Sequence, residues 1–258
     1  MKTKFSANLG FLWNDLPLPD AIRAAQQAGF HAVECHWPYD TPADEVRAAL
    51  DETGLPMLGL NTRRGDLEAG DNGLSAIPGR ETEARAAIDE AISYANAVDA
   101  KAIHVMAGFA EGKDALDTFI ENLRYACSNT DRTILIEPLN RHDAPDYFLS
   151  TTDQAVEIIT EVEAFNIKLM FDCYHVGRME GDLITRINIL MPFIGHIQFA
   201  SIPDRGAPDH GEINYQWLFE AIAKLRWYQP LGAEYKVPDG ANGTRETLDW
   251  ITQGYQNC

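Results

Sequence analysis

The chain is short of cations. Acids outnumber bases 39 to 21, giving a formal net charge of −18. Nucleic-acid binding draws most of its affinity from lysine and arginine set against phosphates, so this balance argues against a polyanion partner. A small anionic metabolite remains open to it, since that needs only one or two local cations. Cysteine is scarce too. Cys35, Cys127, Cys173 and Cys258 show no CxxC pair and no zinc-ribbon spacing, and read as reduced, mostly buried thiols. No apolar run is long enough to span a bilayer, and MKTKFSANLG at the start has two lysines without an apolar stretch behind them. The expectation is a cytoplasmic protein with no signal peptide and no membrane partner. No GxGxxG or P-loop follows the first β-rich run, which removes the main support for a dinucleotide or nucleoside-triphosphate site.

What the sequence does have is one pattern repeated from end to end. Short β-rich runs fall at 5–9, 31–35, 56–61, 102–106, 133–138, 167–172, 196–200 and 231–235. Amphipathic helical stretches lie between them. PDAIRAAQQAG (19–29) has Pro19 near its start and Gly29 at its end, the expected stop signals. ETEARAAIDEAISYANAV (81–98) places Ile88, Ile92 and Ala95 at helical spacing, and TTDQAVEIITEVEAF (151–165) opens on a capping threonine. Eight such units in 258 residues is roughly 32 residues each, which fits an α/β chain closed into a single (β/α)₈ TIM barrel over 1–258. Hydrophobic residues at 45% supply a sizeable core. Two connections, 62–80 and 201–213, are long for βα loops, and in a barrel both rise from the catalytic face.

Polar residues able to bind a metal recur at the carboxyl ends of the last four predicted strands: Glu137, Asp172, Gln198 and Glu234. Their separations are 35, 26 and 36 residues, about one βα unit each. In a closed barrel, equivalent strand ends converge on the axis. Carboxylates in such apolar surroundings are costly to bury unless they are paired or ligate a cation. The donors are all oxygens, the preference of hard ions such as Mg²⁺ or Mn²⁺, and an octahedral ion held by four side chains keeps about two positions free. Adjacent keto and hydroxyl oxygens of a substrate fit those positions, with the ion polarising the carbonyl. Moving a proton between neighbouring carbons then needs a poised carboxylate, and Glu137 and Glu234 can approach from different sides.

The segments IEPLNR (136–141), FDCYH (171–175), HIQFASIPDR (196–205), HGEINY (210–215) and GAEYK (232–236) resemble the hydroxypyruvate isomerase family. That family includes 2-oxo-tetronate isomerases and belongs to the xylose-isomerase-like TIM barrels. ANLGFLW (7–13), GLSAIPGRE (73–81) and IHVMAG (103–108) extend the resemblance over nearly the whole chain. It implies that Glu137 and Glu234 are the catalytic acid/base pair, with Asp172 and Gln198 completing the metal shell. It also implies an aldose–ketose type isomerase of hydroxypyruvate, or of a four-carbon 2-oxo-tetronate. By the same resemblance His175 contacts substrate and Arg205 meets its far end. Similar sugar epimerases carry histidine where this chain has Gln198, so a ketose 3-epimerase is the weaker alternative.

For the substrate carboxylate, Arg205 offers a bidentate guanidinium, Lys236 is the second choice, and Arg63, Arg64 and Arg141 follow. His104 and Glu34 sit at strand ends as pocket-lining or supporting residues. Trp13, His36 and Trp37 read as an apolar wall, and Asn8 and Asn61 as hydrogen-bonding groups at the barrel mouth. A phosphodiester-cleaving barrel would need a histidine-rich zinc cluster and a basic face, and neither is present. A non-catalytic sensor would have no use for both glutamates. The expected partner is a small anionic hydroxy-keto acid, and self-association into a homo-oligomer is compatible with the chain.

Overall fold

The computed structural model describes residues 3–238 and 243–252. Eight parallel strands form one sheet: β1 (Phe5–Asn8), β2 (Ala32–Glu34), β3 (Gly59–Asn61), β4 (Ala102–His104), β5 (Thr133–Ile136), β6 (Ile167–Asp172), β7 (Ile194–Phe199) and β8 (Leu231–Ala233). Their order is β2-β1-β8-β7-β6-β5-β4-β3. The seam between β2 and β3 is bridged by a parallel pairing of Val33 with Met57. Val33 N donates to Pro56 O at 3.0 Å, Leu58 N to Val33 O at 2.7 Å and Cys35 N to Gly59 O at 3.1 Å. The outcome is the (β/α)₈ barrel that the repeat predicts.

Each predicted strand is present, most of them trimmed at one end. The helices around them are α1 (Leu18–Gln27), α2 (Ala43–Thr53), α3 (Glu81–Val98), α4 (Gly112–Ser128), α5 (Thr152–Val162), α6 (Cys173–Met179), α7 (Leu183–Leu190), α8 (Tyr215–Lys224) and α9 (Asp249–Thr252). Helix α3 has the predicted bounds and buries Ala84, Ile88, Ala91, Ile92, Ala95 and Val98 along one stripe. Thr151 caps α5 by accepting from Gln154 N at 3.2 Å. That helix stops three residues short of the predicted end. Glu163 turns left-handed (φ 57°), and Asn166 Nδ2 pins the chain to the carbonyls of Cys127, Thr130 and Arg132. Phe165 is left 81% exposed, so its hydrophobicity does not extend the helix.

Strand residues alternate between two environments. Ile134, Ile136, Leu169, Phe171, Ile197, Phe199 and Ala233 join the large core between strands and helices. The opposite faces turn to the barrel axis, where Ala102, Leu135 and Met170 make a small separate apolar floor. Above that floor the axis is lined by polar groups. The loop 62–80 is tied down by an Arg80–Asp71 ion pair at 2.7 Å and by Asn122 Nδ2 donating to Ser75 O at 2.9 Å. Cys35, Cys127 and Cys173 are buried free thiols; Cys258 lies outside the described residues. Among the described residues, no helix is long and apolar enough to cross a membrane.

Candidate active site

The four strand-end residues converge, and all four are buried. Glu137 directly follows β5, Asp172 ends β6, Gln198 lies on β7 and Glu234 directly follows β8. Three of the four hold part of the side chain in a defined bond. Asp172 Oδ1 accepts from Tyr174 N at 2.8 Å, at the start of α6. Gln198 Nε2 donates to Glu34 Oε2 at 2.8 Å. Glu234 Oε1 accepts from Arg205 Nη2 at 3.1 Å and lies 3.2 Å from His36 Nε2. Each residue also keeps one buried oxygen with no hydrogen-bond partner: Glu137 Oε1, Asp172 Oδ2, Gln198 Oε1 and Glu234 Oε2. Buried oxygens are rarely left without a partner.

The acids of the set also repel one another. Burial, then repulsion from Glu234 and Asp172, raises the Glu137 carboxyl well above the usual range. Burial and Glu234 push Asp172 up to about 7, with Arg205 opposing them. A divalent ion among these groups would relieve the repulsion and favour the ionised forms.

His175, on α6, contributes differently. One ligand atom each from Glu137, Asp172 and His175 lie within 4.8 Å of one another, so this buried group could hold a metal. However, Asn140 N donates to His175 Nδ1 at 3.1 Å. Burial, then Arg205, keeps the ring neutral, its pKa well below the usual value. The single proton therefore sits on Nε2, 3.6 Å from Asp172 Oδ2 and 3.9 Å from Glu137 Oε1. As an N–H donor this nitrogen orients carboxylates or substrate oxygens and offers no lone pair to an ion. His104 lies opposite, its Nδ1 3.7 Å from Glu137 Oε2, and burial holds it neutral with a pKa of about 3.

Arg205 is the cation of the site. Its guanidinium sits between the rings of Phe11 and Tyr174, 4.7 and 5.1 Å from their centroids, and 3.9 Å from Asp172 Oδ2. Its Nε is buried and unpartnered. The backbone at Arg205 is left-handed (φ 58°) and is held by Arg205 N to Ser201 O and Lys236 N to Arg205 O. Lys236 itself is exposed, as strand β8 ends before it.

The remaining arginines lie apart from the quartet. Arg63 pairs with Glu90 on the surface, Arg141 reaches Ser150 Oγ, and Arg64 stacks on Trp37 at 3.9 Å. Trp13 packs edge-on against Phe30 in the core. Asn8 and Asn61 line the axial cavity beside Glu137 and Glu234. His36 does more than wall the pocket, since it touches Glu234. Sequence reasoning missed the buried pair His196–Glu34, with Nε2 to Oε2 at 3.0 Å. Its signal was there in HIQ: His196 stands two residues before Gln198, hence on the same strand face.

Fold and site define an isomerase-type barrel, and residues 22–254 match the family model described as xylose isomerase-like TIM barrel. The chain belongs to that family. Within it, the chain is 40% identical to the 2-oxo-tetronate isomerase of Cupriavidus necator, over 96% of this chain and 97% of that one. It is 39% identical to the hydroxypyruvate isomerase of Escherichia coli, covering 90% and 93%. A Brucella melitensis crystal structure titled AP endonuclease, family 2, superimposes with a TM-score of 0.92 at 38% identity, covering 98% and 99%. An L-ribulose 3-epimerase structure aligns with a TM-score of 0.81 at 15% identity, covering 99% and 95%, which shows the fold alone.

Proposed function

We propose that this chain is an intramolecular oxidoreductase. It interconverts hydroxypyruvate and 2-hydroxy-3-oxopropanoate, or the four-carbon 2-oxo-tetronate equivalent. The observation that carries the reading is the set of four orphaned oxygens, one from each quartet residue, together with the buried and unpartnered Nε of Arg205. Full-length relatives named for these two activities support it.

Glu137, Asp172, Gln198 and Glu234 would hold Mg²⁺ or Mn²⁺. When bound, such an ion supplies Lewis-acid polarisation of a substrate carbonyl. The rest falls to the chain's own groups. One glutamate takes the proton from the hydroxyl-bearing carbon, the C–H electron pair becomes the C=C bond and the carbonyl π pair moves onto its oxygen, giving an enediolate. A proton then returns to the former carbonyl carbon while the hydroxyl proton passes to the former carbonyl oxygen, leaving a new C=O where the hydroxyl was. Glu234 is steadied for this by Arg205 and His36 on one oxygen, which leaves Oε2 free. Glu137 is the second carboxylate at the site and is available to return the proton. His175 Nε2–H can hold a substrate oxygen, and Arg205 Nε–H the carboxylate.

A 3-epimerase reading rests on fold alone. The endonuclease title belongs to the Brucella protein, and this chain's charge of −18 offers no match to a phosphate backbone. The direct test is turnover of both acids by metal-stripped protein with Mg²⁺ or Mn²⁺ restored. Turnover that depends on the added ion is expected; folded, ion-loaded protein that turns over neither acid would overturn the proposal. Running the reaction in D₂O should place deuterium on carbon, whereas a hydride shift would leave it out.

A further inference from the structure

Gln198 is an ambiguous ligand taken alone, because a rotation of its terminal amide swaps a donating nitrogen for an accepting oxygen. Only the oxygen can hold a cation. Something must fix the rotation, and the group that faces the far side of the amide is Glu34, at the end of β2. Glu34 has only donors around it. Ser6 Oγ gives to Oε1 at 2.7 Å, His196 Nε2 lies 3.2 and 3.0 Å from Oε1 and Oε2, and Gln198 Nε2 gives to Oε2 at 2.8 Å. Turning the amide over would set Gln198 Oε1 against a carboxylate oxygen and Nε2 into the acidic quartet. The space for this arrangement is made by Gly232. A Cβ there would stand 2.5 Å from Glu34 Oε1, 2.8 Å from Gln198 Cγ and 2.9 Å from His196 Nε2.

We propose that Glu34 is a positioning residue, which locks the Gln198 amide with Oε1 toward the ion site and so sets the affinity of the quartet for a divalent cation. The inference rests on the cation reading of that quartet. Glu34 itself touches neither ion nor substrate. Its carboxylate, at the end of β2, is held by Ser6 on β1 and by His196 on Gln198's own strand β7, so the amide is referred to β1 and β2 as well as to its own strand.

The test measures Mn²⁺ affinity by titration, independently of turnover, in the wild type and four variants. Glu34→Ala removes the acceptor and should weaken binding about 10–100-fold. Glu34→Gln can keep an oxygen toward Gln198, since the Ser6 hydroxyl and a neutral His196 can each turn to accept, and should stay within about 3-fold of wild type. In a Gln198→Ala background, adding Glu34→Ala should cost nothing further. Wild-type affinity in Glu34→Ala, or the same loss with and without Gln198, would overturn the positioning role while leaving the quartet's ion intact. Absence of Mn²⁺ binding by the wild type would overturn both. Should Glu34→Ala fail to fold, the side-chain amide protons of Gln198 in the wild type decide. Slow solvent exchange supports the lock, and fast exchange overturns it.

Discussion

Two faces of the same strands obey opposite rules. On β6 and β7, Leu169, Phe171, Ile197 and Phe199 look outward and are buried against aromatic and aliphatic side chains of the helices. One residue away in each case, Met170, Asp172, His196 and Gln198 belong to the axial side, which is polar above its floor. The outer face gains roughly 25 cal/mol for each Å² of apolar surface removed from water. The inner face buries four acidic side chains, Glu34, Glu137, Asp172 and Glu234, and only part of that charge is matched, by Arg205 and His196. In Glu34 the balance goes the other way from its neighbours. Burial opposes its ionisation, yet attraction to His196 and the bonds from His196, Ser6 and Gln198 hold its carboxyl below the usual range. The barrel is thus stable because of one face and able to do chemistry because of the other.

The contrast can be broken from either side. Replacing Glu137 or Glu234 with Gln should lower kcat by about 10²–10⁴-fold, the usual worth of a positioned acid or base. For Glu137→Gln the metal-free protein should melt at a higher temperature than wild type, because a buried, mutually repelling acid has been neutralised. A lower melting temperature would mean that Glu137 is structural after all. Phe199→Ala should do the reverse. Phe199 packs on Phe5, Phe219 and Trp250 at 5.8, 4.8 and 5.6 Å between ring centroids. Its loss should cost about 3–5 kcal/mol of stability in denaturant titrations, with kcat within a few-fold of wild type at temperatures where the protein stays folded.

The outer face was the more legible of the two in the sequence. Period-2 and period-3.6 patterns report burial against helices directly, so eight strands and the bounds of α3 could be read from Ile, Val, Ala and Leu alone. The quartet was legible because its members share one phase in the repeat. Glu34 and His196 share that phase as well, but their job depends on a contact across 162 residues that no spacing displays. The His175 tautomer was equally hidden, since it is set by the backbone N–H of Asn140. Lys236 misled for a simple reason: the i, i+2 rule holds only while a strand lasts, and β8 stops at Ala233.

The smallest expected effect lies in the loop that carries Arg205, at the boundary between the two faces. His210 bridges two carboxylates there, with Nε2 2.7 Å from Asp204 Oδ2 and Nδ1 3.0 Å from Asp209 Oδ1. Ser201 Oγ donates to Asp204 and accepts from Gly206 N at 3.0 Å, closing the turn that holds Arg205 left-handed. The bonds to Asp209 and Asp204 raise the His210 pKa. Burial works against ionised Asp204, but Ser201, His210 and Gly206 hold its pKa down to about 2. A raised histidine stabilises most when protonated, and that contribution fades as pH rises through its folded pKa. A lowered aspartate stabilises above its ordinary pKa of 3.8, and that contribution fades as pH falls toward about 2. The latch is therefore strongest from about pH 4 to the ordinary histidine pKa of 6.5, and fades above that as pH rises through the raised pKa of His210. His210 and Asp204 side chains are 47% and 54% exposed, so solvent screening limits it to less than about 1 kcal/mol. Melting curves of wild type and His210→Gln should differ slightly at pH 5–6 and converge by pH 9. A gap that persists unchanged at pH 9 would assign His210 a packing role in place of an ionic one.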